Sequence, residues 1–277
     1  MFDILNPILN PILNPTCERS RHEKLDGTSI IQKTPVTLVL LPGMDGTGRL
    51  FQPLLAEMGK GIVPKVLTYP ESEPLTYEAL IPRIQAALQA IDGPYVVLGE
   101  SFSGPLAIEI AASCPPGMRG LILCCTFARN PHPRLRPLRS ALSLLPFNVA
   151  ITSIGSRLLF GRFFTQPLHR LFLEAVATVT PAVFRTRLRS VLEVDVTGKL
   201  AAVQVPLLYL QGAHDNVVPR SAAALIQQIR PDMQLVEMDA PHCLLQAVPR
   251  DAARVIDEFV ASTADHFAAS QCRSAGS

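Results

Sequence analysis

Pro94-Tyr95-Val96-Val97-Leu98-Gly99-Glu100-Ser101-Phe102-Ser103-Gly104-Pro105-Leu106-Ala107-Ile108-Glu109-Ile110-Ala111 begins as a strand and ends as a helix. Tyr95 to Leu98 is a short apolar run set off by Gly-Pro before it and Gly after it, the pattern of a buried strand. From Ser103 onward, Leu106, Ala107, Ile110 and Ala111 fall at i, i+1, i+4 and i+5, on one helical face. Ser101 stands at the bend. Small residues flank it at Gly99, Ser103 and Gly104, as required where strand and helix backbones approach closely. A serine so placed is lifted above a sheet edge and beside a helix N-terminus.

Reading outward, the same alternation continues on both sides. Upstream, Val36 to Leu41 is an apolar strand, Ile62 to Leu67 a second, and Tyr77 to Ile91 an amphipathic helix with Ile81, Ile84, Ala87, Leu88 and Ile91 on one face. Downstream, Leu121 to Cys125 is another buried strand. The order strand, helix, strand, helix, strand implies a parallel sheet covered on both faces. The loop after the first strand is Pro42-Gly43-Met44-Asp45-Gly46-Thr47-Gly48. It is not a P-loop, because Arg49-Leu50 stands where Lys-Ser or Lys-Thr is needed. Nor is it a dinucleotide fingerprint, because its glycines read G-x-x-G-x-G. The remaining reading is a loop folded in closely enough to aim backbone N–H groups at an oxyanion.

From residue 127 to 192 the rhythm becomes helical only. Leu168, Leu171, Phe172, Ala175, Val176 and Val179 form one apolar stripe, and Leu135, Leu138, Ala141, Leu142 and Leu145 a second. The segment reads as a helical cap over the strand ends. It holds ten arginines (129, 134, 136, 139, 157, 162, 170, 185, 187 and 189) against one acid, Glu174. Its charge is therefore +9; with the whole chain at +2, the remainder carries −7. Two readings stay open for these arginines: a solvated face pairing with the acids of the sheet domain, or a contact for anionic substrate or a membrane surface. The sheet then resumes at Leu207 to Leu210, with a helix over Ser221 to Ile229, a last strand over Leu235 to Met238 and a closing helix from about Arg250 to Val260.

A serine hydroxyl becomes a useful nucleophile only when a base takes its proton and a carboxylate orients that base. Asp215 follows the Leu207–Leu210 strand and His242 follows the Leu235–Met238 strand. Carboxyl ends of parallel strands share one edge, so Ser101, Asp215 and His242 converge on one crevice. The other candidates fit less well. His214 adjoins Asp215 and reads as a loop residue; His132 and His169 belong to the helical segment; His22 and His266 lie near the ends. Asp195 precedes Gly198 and reads as a helix boundary. After the Leu121–Cys125 strand, Thr126 and Asn130 offer no carboxylate. Glu100 should leave the bend opposite Ser101, as a partner for the loops. No spacing of Cys, His or acid suggests a metal site, and no cofactor is expected.

Four motifs together, Gly-Met-Asp-Gly-Thr-Gly (43–48), Gly-Glu-Ser-Phe-Ser-Gly (99–104), Gly-Ala-His-Asp-Asn-Val-Val-Pro (212–219) and Ala-Pro-His (240–242), resemble a capped α/β-hydrolase of the serine esterase or lipase type. The resemblance covers roughly Val36 to Val260. It implies an α/β fold: a mostly parallel α/β-hydrolase sheet flanked by helices, with an inserted helical cap. By the same resemblance Ser101 is the nucleophile, His242 the base and Asp215 the orienting acid, with an oxyanion hole from the backbone N–H groups of Phe102 and Met44. The chain departs from the family at Pro42-Gly43, where His-Gly is common, and at Ser103, where the bend has a second glycine. The implied chemistry is acyl transfer from a small-molecule ester. Water as acceptor gives an esterase or thioesterase and an alcohol an acyltransferase; a non-catalytic binding relative is the reading from another class.

The 277 residues, 48% hydrophobic, divide into an extended lead-in over 1–35 with Ile-Leu-Asn-Pro written three times, a core over 36–126 and 193–262, the cap over 127–192 and a flexible tail over 263–277. No apolar run approaches the ~20 residues of a membrane span. Six cysteines without a CxxC pair read as mostly buried thiols in a reducing compartment. The amino terminus lacks a signal-peptide pattern, so the expectation is cytoplasmic. No nucleic-acid partner is expected, and oligomeric state is left open.

Overall fold

Six segments, apolar in the four central strands and mixed at the two edges, pair into one parallel sheet: β1 (Val36–Leu41), β2 (Ile62–Val66), β3 (Tyr95–Glu100), β4 (Met118–Cys124), β5 (Leu207–Gly212) and β6 (Gln234–Met238). The computed structural model describes residues 35–137 and 149–274, with backbone alone over 149–154 and 264–274. The Ile-Leu-Asn-Pro repeats and most of the second stripe (Leu138, Ala141, Leu142 and Leu145) lie outside the described residues; Leu135 is 45% exposed.

The strands run in the order β2-β1-β3-β4-β5-β6. Side chains alternate between two faces, as period two requires. Val39, Leu41, Val97, Leu121 and Leu123 pack on one side with α2 (Tyr77–Gln89) and α3 (Gly104–Ala112). Leu38, Leu40, Val96, Leu98 and Ile122 pack on the other with α1 (Gln52–Glu57) and the C-terminal helix. All ten are fully buried, and burying each contributes about 1.5–3 kcal/mol. The register pairs Leu41 with Gly99, Glu100 with Cys124 and Gly212 with Met238. The loops after these strands therefore emerge at one edge.

Between β4 and β5 lie α4 (Val149–Phe160), α5 (Gln166–Val176) and α6 (Pro181–Glu193). Thr165 and Thr180 cap α5 and α6, their hydroxyls accepting from Leu168 and Val183 N–H at 3.4 Å. Phe172, Ala175, Val176 and Val179 of the α5 stripe are buried. Backbone bonds join this segment to the loops at the sheet edge: Thr180 N–H donates to Glu71 O, and Cys243 N–H to Leu159 O.

Helices α7 (Thr197–Leu200), α8 (Arg220–Ile229), α9 (Leu244–Ala247) and α10 (Pro249–Ser274) complete the chain. Two boundaries differ from the sequence reading by three residues or more. β4 starts at Met118 rather than Leu121, because Gly120 admits Phe259 and Thr263 of α10 against the strand; an added Cβ would meet each at 3.0 Å. α10 passes Val260 and runs to Ser274, since the alanine-rich stretch beyond contains no Gly or Pro to stop it. Among the described residues, no helix is long and apolar enough to cross a membrane.

Candidate active site

The bend after β3 is tight enough to hold Ser101 at φ 49°, a left-handed conformation that costs a non-glycine residue. Two glycines permit it. A Cβ at Gly99 would sit 2.8 Å from both Ala107 Cβ and Ser103 O, and one at Gly104 would lie 2.0 Å from Thr126 Oγ1. The Thr126 hydroxyl donates to Ser101 O, and Tyr77 Oη donates to Phe102 O at 2.8 Å while stacking on the Phe102 ring. The turn is thus bound on each side by side chains from separate elements.

Ser103, at the position where a glycine was expected, is fully buried. Its hydroxyl donates to Pro42 O and bonds Tyr69 Oη at 2.7 Å. With its hydrogen committed to Pro42, it accepts from the tyrosine. The substitution for glycine therefore bolts the bend to the loop after β1. That loop runs directly beside the serine, for a Cβ on Gly43 would lie 4.0 Å from Ser101 Cβ.

Ser101 Oγ lies 2.9 Å from His242 Nε2, and His242 Nδ1 lies 2.8 Å from Asp215 Oδ2. The structure therefore brings together the three residues, 141 and 27 positions apart, that the strand-end argument selected. Asp215 Oδ1 accepts from Val217 and Val218 N–H at 2.8 Å each. Burial acts to raise the Asp215 pKa, but the His242 contact and these two N–H donors outweigh it and hold the carboxyl below its ordinary value. An ionised carboxylate only accepts, so His242 carries its proton on Nδ1 and presents Nε2 as the acceptor for the serine hydroxyl.

The other candidates lie elsewhere. His214 Nε2 bonds Asp239 at 2.8 Å, His132 Nε2 bonds Val217 O at 2.7 Å and His169 Nδ1 bonds Ser156 Oγ at 2.9 Å. Asp195 Oδ1 accepts from Thr197 N–H at 3.0 Å at the start of α7. Cys124, Cys125 and Cys243 are buried, whereas Cys114 is exposed, at the end of α3 where the chain turns. A cavity of about 540 Å³ between α2, α3 and α6 is lined by Tyr77, Leu106, Glu109 and Ser190 but by none of the three aligned residues.

Two further residues sit beside these three, one that the sequence does not single out and one that it reads as a partner for the loops. The first is Arg187, one of ten arginines in its segment, which is 1% exposed and reaches the loop after β1. Val183 and Val191, four residues to either side on α6, are also buried; that spacing was the available signal.

The second is Glu100, buried behind the bend with Gln246 Nε2 donating to its Oε1 at 2.9 Å. Burial chiefly, with a smaller push from Asp45, lifts its pKa from 4.5 to about 7. The folded chain thus holds this proton more tightly than the unfolded chain, and the stability this adds is complete below pH 4.5 and lost as pH rises through about 7. Glu100→Gln, neutral throughout, should therefore gain stability relative to wild type between pH 5 and 8, by about 1–3 kcal/mol. Urea unfolding of both proteins at the two pH values measures it; an unchanged difference would mean that Glu100 ionises at its ordinary value.

A profile of the alpha/beta hydrolase family matches residues 38–258. Phytyl ester synthase 1, a chloroplastic protein of Arabidopsis thaliana, is 32% identical over 124 residues, covering 42% of this chain and 17% of that one. The pimeloyl-[acyl-carrier protein] methyl ester esterase of Nitrosomonas europaea is 27% identical over 176 residues, covering 55% and 65%. The match thus spans less than two thirds of the length of either relative. Among solved structures, the enol-lactonase from Burkholderia xenovorans superposes with a TM-score of 0.71 at 15% identity, over 82% of this chain and 92% of that one, a likeness of fold.

Proposed function

The chain belongs to the alpha/beta hydrolase family, and from that premise we propose that it is a serine hydrolase cleaving carboxylic esters of apolar acyl chains. The observation that carries this reading is the continuous chain Ser101 Oγ, His242, Asp215 at 2.9 and 2.8 Å. Ser101 Oγ attacks the ester carbonyl as His242 Nε2 takes its proton, and Asp215 stabilises the imidazolium. The carbonyl oxygen becomes an oxyanion, received by the N–H groups of Phe102 and Met44. The tetrahedral adduct collapses, the alcohol leaves with the proton from His242, and the acyl group stays on Ser101. Water then repeats the sequence: His242 takes its proton, the acid is released and Ser101 is restored.

A second acceptor is favoured by the relative named as a phytyl ester synthase. An alcohol in place of water would deacylate Ser101 to a new ester on the same residues. The arginines bear on the substrate. Among the described residues, Arg134, Arg136, Arg170 and Arg189 are exposed without a carboxylate partner, whereas Arg162 pairs with Asp239. A basic surface on the segment over the site suits an anionic acyl carrier or thioester, in keeping with a relative named for an acyl-carrier-protein ester.

The test is a series of p-nitrophenyl esters from butyrate to octanoate, with and without a long-chain alcohol, at low and high salt. Hydrolysis should favour the apolar chains. A more anionic ester should lose kcat/KM as the screening length falls below ~8 Å, while neutral ones hold steady. No turnover of any ester, or a preference for sugar esters, would refute the reading; a new ester as the main product would assign the transferase.

A further inference from the structure

Arg187 projects from α6 into the loop after β1 and is buried there, among the described residues, without a carboxylate partner. Nη1 donates to Met44 O at 2.8 Å and to Asp45 O at 2.7 Å, and Nη2 to Pro70 O at 2.9 Å. Its guanidinium carbon stands 5.7 Å from the centre of the Tyr69 ring, and Nε has no partner among the described residues. The nearby Asp45 carboxylate turns instead to Thr47, whose N–H and hydroxyl it accepts at 2.9 and 2.6 Å. A buried arginine placed for stability alone is normally matched with an acid, because neutral carbonyls repay less of its lost hydration. This one is spent on backbone.

The backbone it holds is the loop beside Ser101. Gly43 O accepts from Gly46 N–H at 3.1 Å, and Arg187 holds the next two carbonyls. In a trans peptide the C=O and N–H point in opposite directions, so fixing Gly43 O fixes the direction of Met44 N–H. Fixing Met44 O then removes the remaining rotation at Met44. Gly46, at φ 72°, is part of the fit, since a Cβ there would lie 2.6 Å from Arg187 Nη1. On the far side Tyr69 continues through Ser103 to Pro42 O, so loop and bend are gripped from both ends.

We propose that Arg187 is a positioning residue: from the inserted helices it sets the loop after β1 so that Met44 N–H is aimed at the oxyanion formed over Ser101. The proposal rests on the serine-hydrolase reading above. Misplacing one oxyanion donor removes stabilisation made only in the transition state, so the loss falls on kcat rather than KM.

The experiment compares wild type, Arg187→Ala and Arg187→Lys on p-nitrophenyl butyrate, with folding followed by circular dichroism. A fluorophosphonate probe first reports whether wild-type Ser101 is reactive. Arg187→Ala should lose about 10²-fold in kcat with KM within about threefold. Millimolar guanidinium should restore part of that loss, while equal sodium chloride or urea should not. Arg187→Lys keeps the charge but not the fork, and should lose about tenfold or more. A wild type inert to both ester and probe would defeat the parent reading. A reactive wild type with Arg187 variants within about twofold in kcat would overturn only this proposal. So would loss of fold in both variants, or activity lost without guanidinium rescue, since either makes Arg187 a stabilising residue.

Discussion

Ser101→Ala is expected to lower kcat for ester hydrolysis by about 10⁴–10⁶ while leaving the sheet and its melting temperature essentially unchanged. The hydroxyl is the one atom at the bend that points to His242 rather than into the turn's own bonds, which run through Ser101 O, Phe102 O and the Ser103 hydroxyl. Alanine keeps all of those. It also retains the backbone strain at φ 49°, so the fold sees little change. His242→Ala should cost a similar factor, and the double variant scarcely more, because nucleophile and base act as a unit. Steady-state kinetics on one p-nitrophenyl ester, with the probe reaction as a second readout, decides it. Near-normal turnover in folded Ser101→Ala would remove Ser101 from the chemistry.

The sheet was legible because its strands are apolar runs too short for helices and bounded by Gly, Pro or Asp. Val36–Leu41 and Leu207–Leu210 are buried on both faces, and only a parallel sheet sandwiched by helices asks that of a strand. Placing Asp215 and His242 required only that each follow a strand of the same parallel sheet, since parallel carboxyl ends share an edge. Short helices such as Thr197–Leu200 and Leu244–Ala247 escaped because one turn carries no periodicity to read.

The supporting contacts were less legible, for a different reason. Ser103 reads as a departure from glycine, and only tertiary contact shows its hydroxyl meeting Pro42 O and Tyr69 Oη. Thr126 reads in the sequence as a strand end without a carboxylate, yet its hydroxyl holds Ser101 O. Arg187 shares its residue type with nine arginines in the same segment, and composition assigns such a residue to solvent. Each is a polar side chain whose partner is a backbone carbonyl far along the chain. Pattern arguments locate apolar faces; they do not locate acceptors.

Asp215→Asn is expected to cost about 10⁴ in kcat, with the acid's position in the loop dictating why. Oδ1 of Asp215 is already saturated by Val217 and Val218 N–H, both at 2.8 Å. An asparagine must place its carbonyl oxygen there, since an NH₂ group would face two donors. Its amide nitrogen is then turned to His242 Nδ1, where Oδ2 now sits at 2.8 Å. A donor at that point forces the proton from Nδ1 onto Nε2, and the imidazole can no longer accept from the Ser101 hydroxyl. The geometry survives while the tautomer is wrong. Asp195 supplies the control. It is exposed and occupied with Thr197 N–H and Oγ1 at 3.0 and 2.6 Å, so Asp195→Asn should stay within about twofold of wild type. Measuring kcat for both variants separates the two carboxylates. If Asp195→Asn were the damaging change and Asp215→Asn the mild one, the orienting acid would lie at the start of α7 and not beside His242.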